Sequence, residues 1–254
     1  MNSANDGSRT GGGTSGTLRG ARERARSEIT AAIKDEARTQ LAAEGAAKLS
    51  LRAVARELGM VSSALYRYFP SRDELLTALI VDAYDSVGAA AEGAAGPADA
   101  DPVERWTAVC TAVRSWALAH PHEYALIYGS PVPGYAAPQT TIAPASRVGL
   151  TLITVARDAH RGPGVAPPPL AAELRPEAER MAAGLAADLP PALVASLVAA
   201  WSQVFGLISF ELFGQFTKIV EDRDTFFAQS VARIGRDAGL APAGSAGVLH
   251  REYA

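Results

Sequence analysis

A chain of 254 residues with 48% apolar side chains has room for one large domain, or a small one beside a larger one, and ample material for a core. Its single cysteine, Cys110, excludes an intramolecular disulfide and a multi-cysteine zinc site, and fits a reducing cytoplasm. The net charge of −3 hides an asymmetry, because residues 1–72 carry 12 Lys+Arg against 7 Asp+Glu and the remainder carries 12 against 20.

Residues 1–20, rich in Gly, Ser and Thr, are expected to form a disordered tail: they bury too little apolar surface to offset ordering, and they lack the apolar stretch of a signal peptide. Arg19, Arg22, Arg24 and Arg26 lead into a helix whose stripe is Ile29, Ile33, Ala37 and Leu41, ending near Gly45. These arginines either reach a flanking groove of a nucleic acid or act as a solubility device. Ser50 is placed to N-cap a second helix, 51–58, with Leu51, Val54, Ala55 and Leu58 at helical spacing. Gly59 follows, where a left-handed C-cap is easiest for glycine. A short third helix turns Leu65 and Phe69 inward and leaves Ser62, Ser63, Tyr66 and Arg67 on its other faces. Pro70 stops it, and Ser71 with Glu74 spells a capping box for a fourth helix from Arg72 towards Gly88. A short helix that is apolar inside and small, polar, aromatic and basic outside suits insertion into a DNA major groove. Between Lys48 and Arg72 the basic side chains face Glu57 as the lone acid. Alone, such a run is a solvated face; on a helix-turn-helix pattern it is an electrostatic footprint for DNA.

The alanine-rich second helix, the Gly turn, then Leu65, Tyr66, Tyr68, Phe69 and Ser71-Arg72-Asp73-Glu74 closely resemble the DNA-binding domain of the tetracycline-repressor (TetR) family of bacterial one-component regulators. The resemblance covers residues 21–82. Val61 stands where the family commonly has Ser or Thr, so the third helix lacks its usual N-cap unless Ser62 takes over. Tyr68 stands where His is frequent; its hydroxyl still donates to a phosphate but carries no positive charge. The resemblance implies DNA contacts from Ser62, Ser63, Tyr66, Arg67 and Tyr68, with Arg67 suited to bidentate binding of guanine and the serines to base edges or phosphates. It also implies contacts from Ser50, Arg52 and Arg72, where Ser50 and Arg72 sit at helix N-termini suited to phosphate. The structural alternative is that Ser50 and Ser71 only cap and Tyr66 only packs.

Beyond a break at Gly93, Gly96 and Pro97 the pattern predicts only helices. Asp101 and Pro102 start one that carries Val103, Trp106, Val109, Cys110, Val113 and Trp116. His120-Pro121 ends it and opens a short one with Tyr124, Leu126, Ile127 and Tyr128. A loop over 129–138, a helix over 145–160, a breaker-dense loop over 161–169 and a short helix over 176–186 follow. Long helices are expected over 191–216 and 222–237, the second with a stripe of Phe226, Phe227, Val231 and Ile234. The uncharged run 192–210 has the length of a membrane span, but Ser196, Ser202, Gln203 and Ser209 interrupt it and no Lys/Arg cluster flanks it. A helix buried on most sides, in a core or between subunits, is the better account.

The segment Trp201–Phe216 resembles the WHG subtype of TetR-family C-terminal domains, with its Trp, a downstream Gly and the closing Glu-Leu-Phe-Gly run, and with Phe205 at the place of the His. This resemblance implies an effector pocket in the C-terminal part, for which Trp106, Trp116, Tyr124, Tyr128 and Phe205 are the ligand-binding candidates, beside Tyr135 and Phe210. Aromatics at helical spacing are core residues more often than ligand contacts. His120 and His122, two apart, point to different helix faces, so no metal site is expected. No nucleophile–base–acid grouping or phosphate-binding Gly-rich loop is present, so no enzyme activity and no cofactor are expected.

The expected fold is therefore all-α: a disordered tail (1–20), an N-terminal three-helix helix-turn-helix DNA-binding domain (21–82), a C-terminal helical ligand-binding and dimerisation domain (83–240) and a tail (241–254). The expected function is that of a cytoplasmic homodimeric transcriptional regulator, a repressor released from a palindromic double-stranded DNA operator by a small apolar or aromatic effector, without membrane attachment. The competing expectation is an effector-less accessory or architectural DNA-binding protein whose C-terminal helices only dimerise. The expected dimer surface is the face Leu193, Trp201, Ile208 and Leu212 with the stripe Phe226 to Ile234, unless both pack inside one subunit.

Overall fold

Helices make up the regular structure among the described residues, 13–241, of this computed structural model; the β-type pairing among them is an isolated antiparallel bridge between Val165 and Leu240. The chain divides into two packing units. One extends to Leu79 and takes in Val132–Tyr135; the other comprises Ile80–Pro131 and resumes at Ala136.

In the first unit, α1 (Gly13–Glu44) begins inside the stretch expected as a tail. Once its Ile33, Ala37 and Leu41 are buried, each residue added in front gains a backbone hydrogen bond without a new nucleation cost. Residues 1–12 and 242–254, where the rest of the expected tails fall, lie outside the described residues. After a 3-10 turn at Ala46–Lys48, α2 (Leu51–Glu57) is capped by Ser50, whose Oγ accepts from the Ala53 N–H at 3.4 Å. Gly59, at φ +64°, ends it with the Met60 N–H on the Ala55 carbonyl (2.8 Å) and its own N–H on Arg56 (3.1 Å), the paired bonds of a Schellman cap. Helix α3 is short, Ser62–Leu65, and tightens into turns through Phe69. Val61 stands at its N-cap without a side-chain bond, and Ser62 does not take over. Leu65 (0% exposed) and Phe69 are buried, as are Leu49, Leu51, Val54 and Leu75 of the same unit, and α3 packs on α2. Ser71 Oγ accepts from the Glu74 N–H (3.1 Å) to start α4 (Arg72–Ala94), which gives Leu75, Leu76 and Leu79 to this core. Tyr135 belongs here too, its hydroxyl 2.9 Å from Thr77 Oγ1, and not with the aromatics of the C-terminal part.

The second unit is built around α5 (Pro102–Ala119). Asp101 caps it, accepting from the N–H groups of Val103 (2.8 Å) and Glu104 (3.1 Å), with Pro102 in the first turn. Against α5 pack α6 (Pro121–Tyr128), α7 (Ile142–His160), α9 (Pro191–Leu212) and α10 (Arg223–Asp237), while α8 (Arg175–Leu185) lies on α9. Trp106, fully buried, touches α10 where Gly235 has no side chain and donates to the Val231 carbonyl at 2.9 Å. Arg105 pins the loop before α5 by binding the carbonyls of Ala95 (2.7 Å) and Ala98 (3.3 Å) and the Asp158 carboxylate (3.0 Å). Arg147 of α7 reaches α4, binding Glu92 (2.6 and 2.8 Å) and Asp85 (2.8 Å), over the bare face of Gly88.

The stripes expected at a dimer surface are only partly available. Leu193, Ile208, Phe227, Val231 and Ile234 are buried within the chain, because α5 offers an apolar partner to both α9 and α10. Trp201 (41% exposed), Phe210 (54%), Phe213 (51%) and Phe226 (41%) remain outside. Helix α9 is long and apolar enough to cross a membrane by length and composition, with mean hydropathy 1.8. Within this chain it buries one stripe and not most of its sides.

Candidate nucleic-acid interface and effector site

The reading head presents a consistent outer face. Ser62, Ser63, Tyr66 and Arg67 are exposed, as is Val61, while Leu65 anchors the turn beneath them. Tyr66 therefore does not serve as core packing. Tyr68 is half-buried, and the Arg26 guanidinium carbon stands 5.4 Å from the centroid of its ring, a cation–π arrangement. Arg52 is exposed on α2. Ser50 uses an oxygen lone pair for its cap, which leaves its O–H free to donate to a phosphate. Capping and phosphate contact are thus compatible at this residue.

Arg72, expected at a phosphate, is hydrogen-bonded within its own chain. Its Nε donates to the Leu49 carbonyl (3.2 Å), Nη2 to Ala46 (2.8 Å) and Ala47 (3.4 Å), and Nη1 to Asp73 (3.2 Å). The guanidinium thereby gathers the turn between α1 and α2 and sets the entry of α2. A lone basic letter after a serine carries no signal of this task.

The effector candidates split. Tyr124, Tyr128 and Phe205 belong to one chain of ring contacts: Tyr128–Phe205 at 4.4 Å, Tyr124–Tyr128 at 5.1 Å and Tyr84–Tyr128 at 5.8 Å. Trp201 extends it through Phe205 (5.6 Å) and Phe213 through Tyr124 (6.4 Å). The Tyr124 hydroxyl pairs with Ser209 (2.8 Å), and Tyr84 donates to the Ile127 carbonyl (3.1 Å). Burial, then the neighbouring Tyr84 and Tyr124 phenols, push the Tyr128 phenol well above its ordinary range. Tyr128 is thus a neutral donor in an aromatic setting. Trp116 stands apart, stacked on His120 at 5.2 Å with its N–H on Ser86 Oγ (2.8 Å). Trp106 is a core pillar, and Phe210 faces outward.

A charged cluster that sequence reasoning missed lies elsewhere in the second unit. Arg114, almost fully buried on α5, makes a two-pronged bond to Glu211 of α9 (2.6 and 2.8 Å) and binds Asp224 of α10 (2.8 Å). Its guanidinium also lies 5.2 Å over the Phe227 ring. A 490 Å³ depression beside it is lined by Arg114, Glu211, Val220, Glu221, Asp222, Arg223 and Asp224. Those walls are charged, so this concavity does not match the apolar effector expected. The available signal was polar letters at core-facing positions of otherwise apolar helices.

The comparisons with known proteins agree with this geometry. The family model described as "Bacterial regulatory proteins, tetR family" matches residues 33–79, and "Tetracyclin repressor-like, C-terminal domain" matches residues 106–234, which include Trp201–Phe216. The HTH-type transcriptional regulator Rv1816 of Mycobacterium tuberculosis (strain ATCC 25618 / H37Rv) is 43% identical over 208 residues, spanning 78% of this chain and 86% of that protein. The HTH-type transcriptional regulator Mb1846 of Mycobacterium bovis matches to the same extent, 43% over 208 residues. Among solved structures, the protein SCO4313 superposes with a TM-score of 0.70 at 35% identity, covering 84% of this chain and 97% of that one. A tetR-family regulatory protein from Rhodococcus RHA1 shares the fold, with a TM-score of 0.59 at 18% identity over 84% of this chain and 97% of its own. This chain belongs to the tetracycline-repressor family of helix-turn-helix transcriptional regulators.

Proposed function

We propose that the chain is a homodimeric repressor that leaves a palindromic operator when a small apolar or aromatic molecule binds its C-terminal part. The observation that carries the DNA-binding half is the outer face of α3, where Ser62, Ser63, Tyr66 and Arg67 are exposed over a fully buried Leu65. Arg67 reads a guanine, Ser62, Ser63 and Tyr66 contact bases or phosphates, and Tyr68, Ser50 and Arg52 hold phosphates. Arg72 acts through the 46–49 turn it braces. The aromatics left outside on and after α9, Trp201, Phe210 and Phe213, favour a second copy as partner, since a two-fold axis also matches a palindrome.

On the effector side, Tyr124, Tyr128 and Phe205 favour a flat apolar ligand with a hydrogen-bond acceptor for the Tyr128 hydroxyl. Release follows from two-state linkage: a ligand that prefers the conformation with wrongly spaced reading heads lowers DNA affinity by that preference. The test starts from a duplex selected out of a random pool. Arg67→Ala should weaken binding to it by about 1–3 kcal/mol with little effect on random duplex. An unchanged ratio of selected to random affinity removes Arg67 from base reading. A thermal-shift screen of small aromatic compounds, followed by release of the selected duplex, tests the effector half. An accessory protein without an effector would show neither shift nor release.

A further inference from the structure

Helix α1 extends well in front of the reading head's core. Its inner stripe is Ile33, Ala37 and Leu41, all buried, and at 3.6 residues per turn that stripe continues towards the N-terminus as Arg26 and Arg22. Arg24 falls on the opposite side, with Glu28. The extension is helical without a break from Gly13. Arg26 lies over the ring of Tyr68, so the stripe emerges beside the end of the recognition turn. Among the described residues no carboxylate pairs with Arg22, Arg24 or Arg26, although Arg38 on the same helix holds Asp35 at 2.7 Å. The matched DNA-binding family model begins only at residue 33, so this segment lies outside it.

We propose that Arg22 and Arg26 form a second DNA-contacting surface, a basic helical extension that rests on the backbone phosphates flanking the half-site met by α3. The inference rests on the DNA-binding reading above. A guanidinium on a formed helix loses less freedom on binding than one on a loose arm, and its fork matches a phosphate in two-pronged fashion. The Tyr68 ring holds the Arg26 guanidinium, 5.4 Å from its centroid, while no carboxylate among the described residues competes for the Arg26 N–H groups. Neutralising a phosphate releases condensed counterions, so the contribution is read directly in salt dependence.

The test uses the full chain and the selected duplex in two lengths, the site alone and the site with about one helical turn, about 10 bp, of flank on each side. Arg22→Gln/Arg26→Gln should lower the log–log salt slope on the long duplex by about 1.8 units for each reading head bound. Wild type should then lose about twelve-fold more affinity than the variant between about 50 and 200 mM salt, per head. On the short duplex the two proteins should bind alike, and Arg24→Gln should match wild type on both. Arg22→Lys/Arg26→Lys should restore the slope, which separates charge from helix damage. Equal slopes for wild type and the Gln variant on the long duplex overturn the inference alone. A wild-type chain that binds no duplex at low salt overturns it together with the DNA-binding reading.

Discussion

Gly235 lies inside α10, where alanine would ordinarily be the better helix former by about 0.8–1.0 kcal/mol. Gly235→Ala is nevertheless expected to destabilise the protein. A methyl group there would stand 2.8 Å from Trp106 Cδ1, 3.1 Å from Cγ and 3.2 Å from Nε1. Trp106 is fully buried, and its Nε1 donation to the Val231 carbonyl, one turn before Gly235, holds the ring against the same helix. The ring cannot swing away as an exposed side chain would, so either α10 or the indole must shift by a few tenths of an ångström. Overpacking of this kind costs about 1–3 kcal/mol, and loosening the indole hydrogen bond adds about 1 kcal/mol. Against the helix-propensity gain the net is a loss of about 1–3 kcal/mol. For a unit of this size that lowers Tm by about 3–10 °C, measurable by circular dichroism. Trp106→Ala, which removes Cγ, Cδ1 and Nε1, should absorb the methyl and bring the cost of Gly235→Ala close to zero in a double-mutant cycle. A Gly235→Ala protein as stable as wild type, or more stable, would refute the argument that this contact governs α5–α10 packing.

Arg72→Ala should lower the urea midpoint of the reading head while leaving the salt slope of DNA binding unchanged, because its guanidinium serves the carbonyls of Ala46, Ala47 and Leu49. A slope lower by about one unit would return Arg72 to a phosphate. Glu211→Ala leaves Arg114, 7% exposed, with only the exposed Asp224 as an acid partner, and should cost about 3–5 kcal/mol in urea unfolding; a loss under 1 kcal/mol, about that of a surface pair, would contradict it. The hydrogen bond from Arg147 holds the Glu92 carboxyl below its ordinary range. A depressed carboxylate stabilises above its unfolded pKa, about 4.3, and that stability is lost as pH falls through the folded value. Glu92→Gln should therefore flatten the stability–pH curve below about pH 4.3, and superimposable curves for the two proteins would exclude the bridge.

The parts of the fold that were legible in the sequence are those signalled by local chemistry. Ser50, Gly59 and Asp101 each satisfy backbone groups within a few residues of themselves, so their letters predict their geometry. The exposed face of α3 follows from Leu65 and Phe69 turning inward for the same reason. Long-range choices were not legible. The apolar stripes of α9 and α10 look alike whether they meet α5 or a second subunit, since periodicity reports that a face is buried and not by what. Arg114 and Glu211 are 97 positions apart, and nothing in either neighbourhood announces the other. The start of α1 was missed because glycine and serine content describes intrinsic preference, whereas a nucleated helix extends past it.

The bond from Trp106 to Val231 has a further consequence for the newborn chain. The first unit has all of its residues once Tyr135 has been synthesised, whereas the central helix of the second unit waits for partners from the last described helix. At about 5–20 residues per second the interval is about 5–20 s, during which α5 displays Trp106 without its α10 cover. The reading head is therefore complete while the part that would govern it is still unpacked. Nascent chains stalled before Val231 should be protease-resistant around α1–α3 and cleavable within α5, and resistance of α5 at that length would show that it finds cover earlier.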